Sequence, residues 1–305
     1  MSLRAMLAVL VAAPVRPTEP VSRTAASRLT ALAPLGGLLL GLVTAVIVVT
    51  IRVWAQLPGG QPQSLLPAAG GLALLALATG ARHLTGLAAV ADALAHDRAG
   101  RDAPDWDAPA ESPGGALGAV GAVTVLFTVL IQVFALSTAI LAHRGTVSIL
   151  VACLASRLAV TLAGARASGE PEAGEVPTTR LSARAGAPAG TAASTTASAA
   201  TSRRRIVVGR VSASGAALAT ALSFALAAIA GRLDYDGGDP SRALRAVVAL
   251  ALATAAGLLL RRFLTRRSGG VPAPVLGAVI ELTVTVALIT MAFTVPDRIQ
   301  DAIGG

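Results

Sequence analysis

Lysine is absent from this 305-residue chain, cysteine occurs once, and aromatic side chains make up only 3% of it. Every basic residue is therefore arginine, a bias we read as GC-rich coding rather than functional selection. The lone Cys153 lies inside an apolar run. That excludes a disulfide framework and a metal cluster built on thiolates. With so few aromatic residues, and with arginines sitting mainly between apolar runs, no basic and aromatic surface suited to nucleic acid can form. Charge is scarce as well, at 13% of residues.

What the chain has in excess is apolar surface: 54% of residues are hydrophobic and the mean hydropathy is +0.71. A soluble domain of this length could not hide so much, so the predicted surroundings are a lipid bilayer. A membrane-crossing helix needs about 20 apolar residues. Segments 31–51, 65–81, 115–142, 147–164, 211–231, 246–260 and 271–295 meet or approach that length. The sixth gains a turn by snorkelling of Arg245 and Arg261. The expected fold is all-α, a polytopic bundle of about seven transmembrane helices forming a single integral membrane domain over 1–305. The opening "MSLRAMLAVLVAAPVRP" is too short to span, closes at Pro14 and reads as an interfacial helix.

Arginine placement tests the count, because cytoplasmic connections carry the excess of positive charge. Taken alternately from the N-terminus, one set of connections holds 18 arginines and the other 6, with Arg157 left inside a span. This predicts a cytoplasmic N-terminus and an external C-terminus in the cell membrane. It also puts the segment around His83 and the stretch "RRFLTRRSGG" (261–270) together on the cytoplasmic side. The longest cytoplasmic connection contains a small-residue tract, 182–205, with nothing to bury. It reads as a disordered insertion, and deleting 185–201 is expected to leave membrane insertion and folding intact. Arg203, Arg204 and Arg205 at its end read as an anchor to anionic lipid.

Two ionisable residues stand out because they lie within apolar spans. Burying Arg157 costs about 2.5–3.5 kcal/mol on insertion scales, so it and Glu281 should face the bundle interior. Helix register puts them on the order of 10 and 15 Å from the cytoplasmic ends of their helices. An Arg157–Glu281 contact is therefore predicted, with a structural tie and a substrate role both open. Gln132 either bonds across helices or is a tolerated polar residue. The stretch "GRLDYDGGDPSR" lacks the ligand register and terminal Glu of a calcium loop and reads as a turn. No P-loop, metalloprotease helix or Ser-His-Asp order is present.

Five fragments, in order, resemble the cobalamin synthase family of adenosylcobinamide-GDP ribazoletransferases. "APLGGLLLGL" is similar to the family's Pro-Leu-x-Gly-Leu-x-x-Gly opening, preceded by "PVRP" where the family has a Leu-Pro-Val turn. "TGARHLTGLAAVADAL" is similar to its Thr-Gly-x-x-His-Leu-Asp-Gly-Leu-Ala-Asp-x-x-Asp-Gly-Leu signature. "ESPGGALGAVGAV", "ASRLAVTLA" and "GGVPAPVLGAVIEL" match its later fragments. The resemblance implies a membrane enzyme in which a ribazole hydroxyl attacks the pyrophosphate of cobinamide-GDP and GMP leaves, with Mg²⁺ required. It implies catalytic roles for His83, Arg157 and Glu281, substrate binding at Gly86, Ser112, Gly115, Gly269 and Gly270, and metal binding at Asp92; His96, four residues beyond Asp92 on the same helix face, is a further substrate-binding candidate as a hydrogen-bond donor to phosphate. The implied partners are corrinoid nucleotide, ribazole-type alcohol and lipid.

The sequence departs from the family pattern at its carboxylates. The three signature Asp positions read Thr85, Ala89 and Asp92, and the later Thr-Gly-Asp reads Pro272, Ala273 and Pro274. Mg²⁺ can be held by one or two carboxylates plus substrate phosphates, so Asp92 remains a candidate. Asp102, Asp105, Asp107 and Glu111 follow in a proline-broken stretch that reads as a solvated loop. Three functions stay open: the transferase, a catalytically impaired relative that binds corrinoid or a pathway partner, and a small-solute transporter using Arg157 and Glu281.

Overall fold

The computed structural model describes residues 30–55, 64–98, 118–165, 211–234, 240–268 and 273–293. They form eight helices: α1 Ala33–Ala55, α2 Leu65–Ala78, α3 Arg82–Arg98, α4 Ala119–Leu141, α5 Gly145–Gly164, α6 Ala213–Arg232, α7 Pro240–Ser268 and α8 Ala273–Ala292. Among the described residues there is no strand. Six of the helices are long and apolar enough to cross a membrane. In lipid a helix satisfies every backbone group within its own segment, which is why apolar runs of this length adopt it.

The remaining pair corrects the second predicted span. Instead of one straight helix over 65–81, the chain forms α2 and α3, bent by 87° at a short break. The cause is a Schellman turn. The Gly80 N–H bonds the Leu77 carbonyl at 3.0 Å and the Ala81 N–H bonds the Ala76 carbonyl at 2.7 Å, with Gly80 at φ 61°. Glycine takes that left-handed position without the Cβ clash that other residues meet, so the helix stops there. Ala81 follows at φ 53° and carries the strain that re-aims the chain into α3.

Contacts at the helix ends give the topology. At one end Arg52 meets His143 at 3.4 Å, the Ser64 and Ser137 hydroxyls bond at 2.7 Å, and Arg144 donates to the Phe293 carbonyl. At the other end the Thr161 hydroxyl donates to the Thr30 carbonyl, the Val211 N–H to the Gly164 carbonyl, and the Gly118 N–H to Asp92. Successive connections thus alternate between ends, and α2–α3 serves as one broken crossing. The connections 99–117, 166–210 and 269–272 all leave from the second end: 166–210 holds seven arginines, 99–117 holds Arg101 and follows Arg98, and 269–272 follows Arg261, Arg262, Arg266 and Arg267 in the last turns of α7. The predicted opening helix and the 182–205 insertion lie outside the described residues.

Helix α5 runs through the middle of the bundle and is buried over most of its length, as is α8, whereas α4 and α6 are largely exposed. Their exposed Phe127, Phe134 and Leu218 face outward, where lipid replaces a protein partner. Small residues bring α1 onto α5. A Cβ on Gly37 would stand 2.6 Å from the Cys153 carbonyl oxygen, and one on Gly41 would stand 3.1 Å from the Leu150 Cα. The glycines of "GLLLG" are therefore a close-packing pair at the spacing membrane helices use.

Candidate functional site

The site begins where α3 crosses α8. A Cβ added to Gly86 would lie 2.9 Å from the Pro274 carbonyl oxygen and 3.0 Å from the Gly277 Cα, and one on Gly277 would lie 3.0 Å from both the Gly86 Cα and the His83 carbonyl oxygen. Two glycines from distant parts of the sequence thus let two helix backbones touch, which fixes His83 one turn before Gly86. Gly86, expected to bind substrate, is occupied by helix packing. Nearby, an exposed Arg267–Asp97 ion pair of 3.1 Å joins the C-terminal turns of α7 and α3. The expected 261–270 connection is helical as far as Ser268, and this C-terminal end of α7 shares one end of the bundle with the His83 segment. Because both side chains of that ion pair are exposed, Arg267→Ala should change unfolding stability by no more than about 1 kcal/mol in a denaturation assay.

Above this crossing the helices line a partly open cavity of about 200 Å³. Its polar lining comes from Thr79, His83, Gln132, Ser156, Arg157 and Glu281, and the rest is aliphatic apart from Cys153. Arg157, on α5, is 6% exposed, and its Nη2 lies 3.4 Å from His83 Nε2. A guanidinium can only donate, so in this pair Nε2 accepts and the imidazole carries its proton on Nδ1. The Arg157 Nε–H is buried without a partner. Gly37 makes room for this side chain, since a Cβ there would stand 2.7 Å from Arg157 Cγ.

Glu281 is held by a different neighbour. The Gln132 amide nitrogen donates to Glu281 Oε2 at 2.9 Å and to Thr285 Oγ1 at 3.0 Å. The predicted Arg157–Glu281 contact is therefore not made as an ion pair, although both residues line the same cavity. Arg157 reaches toward α3, while Glu281 is tied to α4. Gln132 is the residue whose role the sequence left open between two readings. A lone amide within an apolar span was the visible signal, and it bonds across helices.

Asp92 has a clear structural task. Its Oδ2 accepts from the Gly118 N–H at 2.8 Å and its Oδ1 from the Gly121 N–H at 2.7 Å. Gly118 is the N-cap residue of α4, and no side chain of its own closes that helix. Asp92 supplies the cap from another helix, satisfying two orphan amides and placing negative charge at the positive end of the dipole. A Cβ at Gly118 or Gly121 would collide with the carboxylate. Asp92→Ala should lower stability by about 1–2 kcal/mol, with Asp92→Asn losing less. Thermal unfolding in detergent measures both.

His96, the other candidate on this face, is exposed, and its Nδ1 bonds the Asp92 carbonyl oxygen at 2.8 Å. It does not line the cavity. Thr85, at a family Asp position, turns its hydroxyl back to the Arg82 carbonyl at 3.0 Å. Among the described residues no group of three or more His, Cys, Asp or Glu side chains could hold a metal ion. Both Asp92 oxygens serve backbone amides, and one Glu281 oxygen serves Gln132. Any Mg²⁺ held by the described residues would therefore rest on one or two carboxylates together with substrate phosphates. Ser112, Gly115, Gly269 and Gly270 lie outside the described residues, as do Asp102, Asp105, Asp107 and Glu111.

Fold and site together define a multi-span helical membrane protein with a partly open cavity between its helices, lined by charged side chains. The family model for cobalamin-5-phosphate synthase matches residues 2–292, and the chain belongs to that family. It is 42% identical over 302 residues to an adenosylcobinamide-GDP ribazoletransferase of Frankia casuarinae, covering 99% of this chain and 98% of the relative. No solved structure matches it.

Proposed function

We propose that this chain is a ribazoletransferase of the cell membrane, joining cobinamide-GDP to a ribazole-type alcohol with release of GMP, at the arginine-rich and cytoplasmic end of the bundle. The observation that carries this reading is convergence. Gly37, His83, Gly86, Arg157, Gly277 and Glu281 come from four of the family's fragments, and they meet around one cavity and the helix crossing beneath it. In the reaction the alcohol oxygen bonds to the phosphorus that carries cobinamide. The bond from that phosphorus to the GMP oxygen breaks, and the hydroxyl proton is released. Negative charge must be neutralised as the pyrophosphate is approached by another oxygen.

Among the described residues, Arg157 is the cation that lines the cavity and is placed to do so. His83 orients it by accepting one of its N–H groups, and low polarity around the pair strengthens what the guanidinium offers an anion. The loss of signature carboxylates at Thr85 and Ala89 favours one second reading, a relative that binds corrinoid without turning it over. Purified protein in liposomes, given cobinamide-GDP, α-ribazole and Mg²⁺, separates the two. GMP release with matching cobalamin product supports the transferase, and retention of corrinoid without GMP overturns it.

A further inference from the structure

We infer that the outer face of α7 binds an anionic phospholipid, with the lipid phosphate on Arg262 and Arg266 and its acyl chains along the apolar strip that leads up to them. The site is separate from the cavity and asks nothing of the transferase chemistry.

Helix length is the first argument. With 29 residues, α7 is about 43 Å long against a hydrocarbon core of about 30 Å. The helix overruns the core, and its C-terminal surplus carries Arg261, Arg262, Arg266 and Arg267.

Helix register is the second. At 3.6 residues per turn, Val248, Leu252, Leu259, Arg262, Phe263 and Arg266 fall within an arc of about 100°, and all six are exposed. Leu250, Ala253 and Leu264, on the opposite side, are buried in the bundle. An apolar strip therefore runs toward the basic end and closes with two guanidiniums. From Leu252 to Arg262 is about 15 Å along the axis, half the thickness of the core and so the depth of one lipid leaflet.

Charge is the third. Arg267 pairs with Asp97 at 3.1 Å and lies 4.6 Å over the Phe263 ring, which it braces. Among the described residues the side chains of Arg262 and Arg266 make no hydrogen bond or ion pair. Two uncompensated cations thus stand one turn apart on one face, each with the planar fork that suits phosphate.

These features select the occupant. A soluble phosphate would use the guanidiniums and leave the strip idle. A second copy of this chain, inserted in the same orientation and packed face to face, would set both arginine pairs at one depth, like charge against like. A zwitterionic lipid brings an ammonium that the same cations repel. An anionic phospholipid supplies surplus negative charge at the headgroup and acyl chains for the strip.

The test is native mass spectrometry of the full-length protein in mild detergent, titrated with phosphatidylglycerol, phosphatidylcholine or inorganic phosphate. The expected result is a saturable phosphatidylglycerol adduct, tighter than that of phosphatidylcholine and undisturbed by inorganic phosphate at equal concentration. Arg262→Gln combined with Arg266→Gln should weaken it about tenfold or more, and each substitution alone by part of that. Thermal melting verifies folding, and the single variants carry the test if the double variant unfolds. Arg52→Gln combined with Arg232→Gln removes equal charge at the other end of the bundle and should leave the adduct intact. Phosphatidylglycerol held no tighter than phosphatidylcholine, parent-like retention in a folded Arg262 and Arg266 variant, or an equal loss in the control pair would overturn the site. So would displacement of the lipid by inorganic phosphate, or a dimer that forms through this face in place of bound lipid.

Discussion

Arg157→Leu is expected to lower kcat/KM for GMP release by about 100- to 1,000-fold, the scale seen when one preorganised donor to developing charge is removed. The side chain sits on the most enclosed helix, is 6% exposed, and has its Nε without a protein partner. Keeping such a group in an apolar span costs stability, because a buried charge without full compensation is disfavoured. Leucine removes that cost and fills similar space. It also strips His83 Nε2 of the donor 3.4 Å away, so the net change in unfolding stability should be small beside the change in rate. Arg157→Lys is expected to rescue poorly. It keeps the charge but not the planar fork that reaches His83 and an anion together. A purely structural Arg157 would show the reverse, with melting temperature and rate falling together in the leucine variant and both recovering with lysine.

How much of this was legible in the sequence depends on the range over which each feature is determined. The spans were legible, since apolar length and arginine placement are local properties, and the alternation of helix ends agrees with them. The break at Thr79–Ala81 was written in Gly80, but hydropathy averages over a single glycine. Recognising the break needed the left-handed φ and the two carbonyls of α2 that the turn satisfies. The inward placement of Arg157 and Glu281 followed from the cost of burying charge. Their choice of partners did not, because helix rotation decides that, and Gln132 competes for Glu281 from a helix 149 positions away in sequence.

Asp92 shows a similar limit. A carboxylate in a family signature reads as a metal ligand, while its capping of α4 depends on Gly118 and Gly121, 26 and 29 residues further along. Nothing in periodicity connects those positions. The geometry does, because both glycines are needed if the carboxylate is to reach the amides.

The glycine pair at the α3–α8 crossing supplies the largest expected effect on stability. In Gly86→Ala the new methyl group meets the Pro274 carbonyl oxygen at 2.9 Å and the Gly277 Cα at 3.0 Å. These are backbone atoms of a buried helix, and no rotamer change can move them aside. The two helices must separate, which costs about 1–3 kcal/mol for one methyl group in a close-packed interface and more for a larger side chain. Gly277→Ala should behave alike, since its Cβ meets the Gly86 Cα and the His83 carbonyl oxygen. Gly70→Ala is the internal control, because its Cβ meets only the Cδ1 tip of Ile51, which can rotate away. Thermal unfolding in detergent should therefore place Gly70→Ala close to the parent and both crossing variants well below it. The double variant Gly86→Ala with Gly277→Ala should lose less than the two single losses combined, since the first separation already makes room for the second methyl group. Because the same crossing holds His83 against Arg157, any folded fraction of Gly86→Ala should also turn over slowly. Parent-like melting and parent-like GMP release in Gly86→Ala would mean that the α3–α8 contact is looser than its geometry implies, and that the position of His83 is fixed by something else.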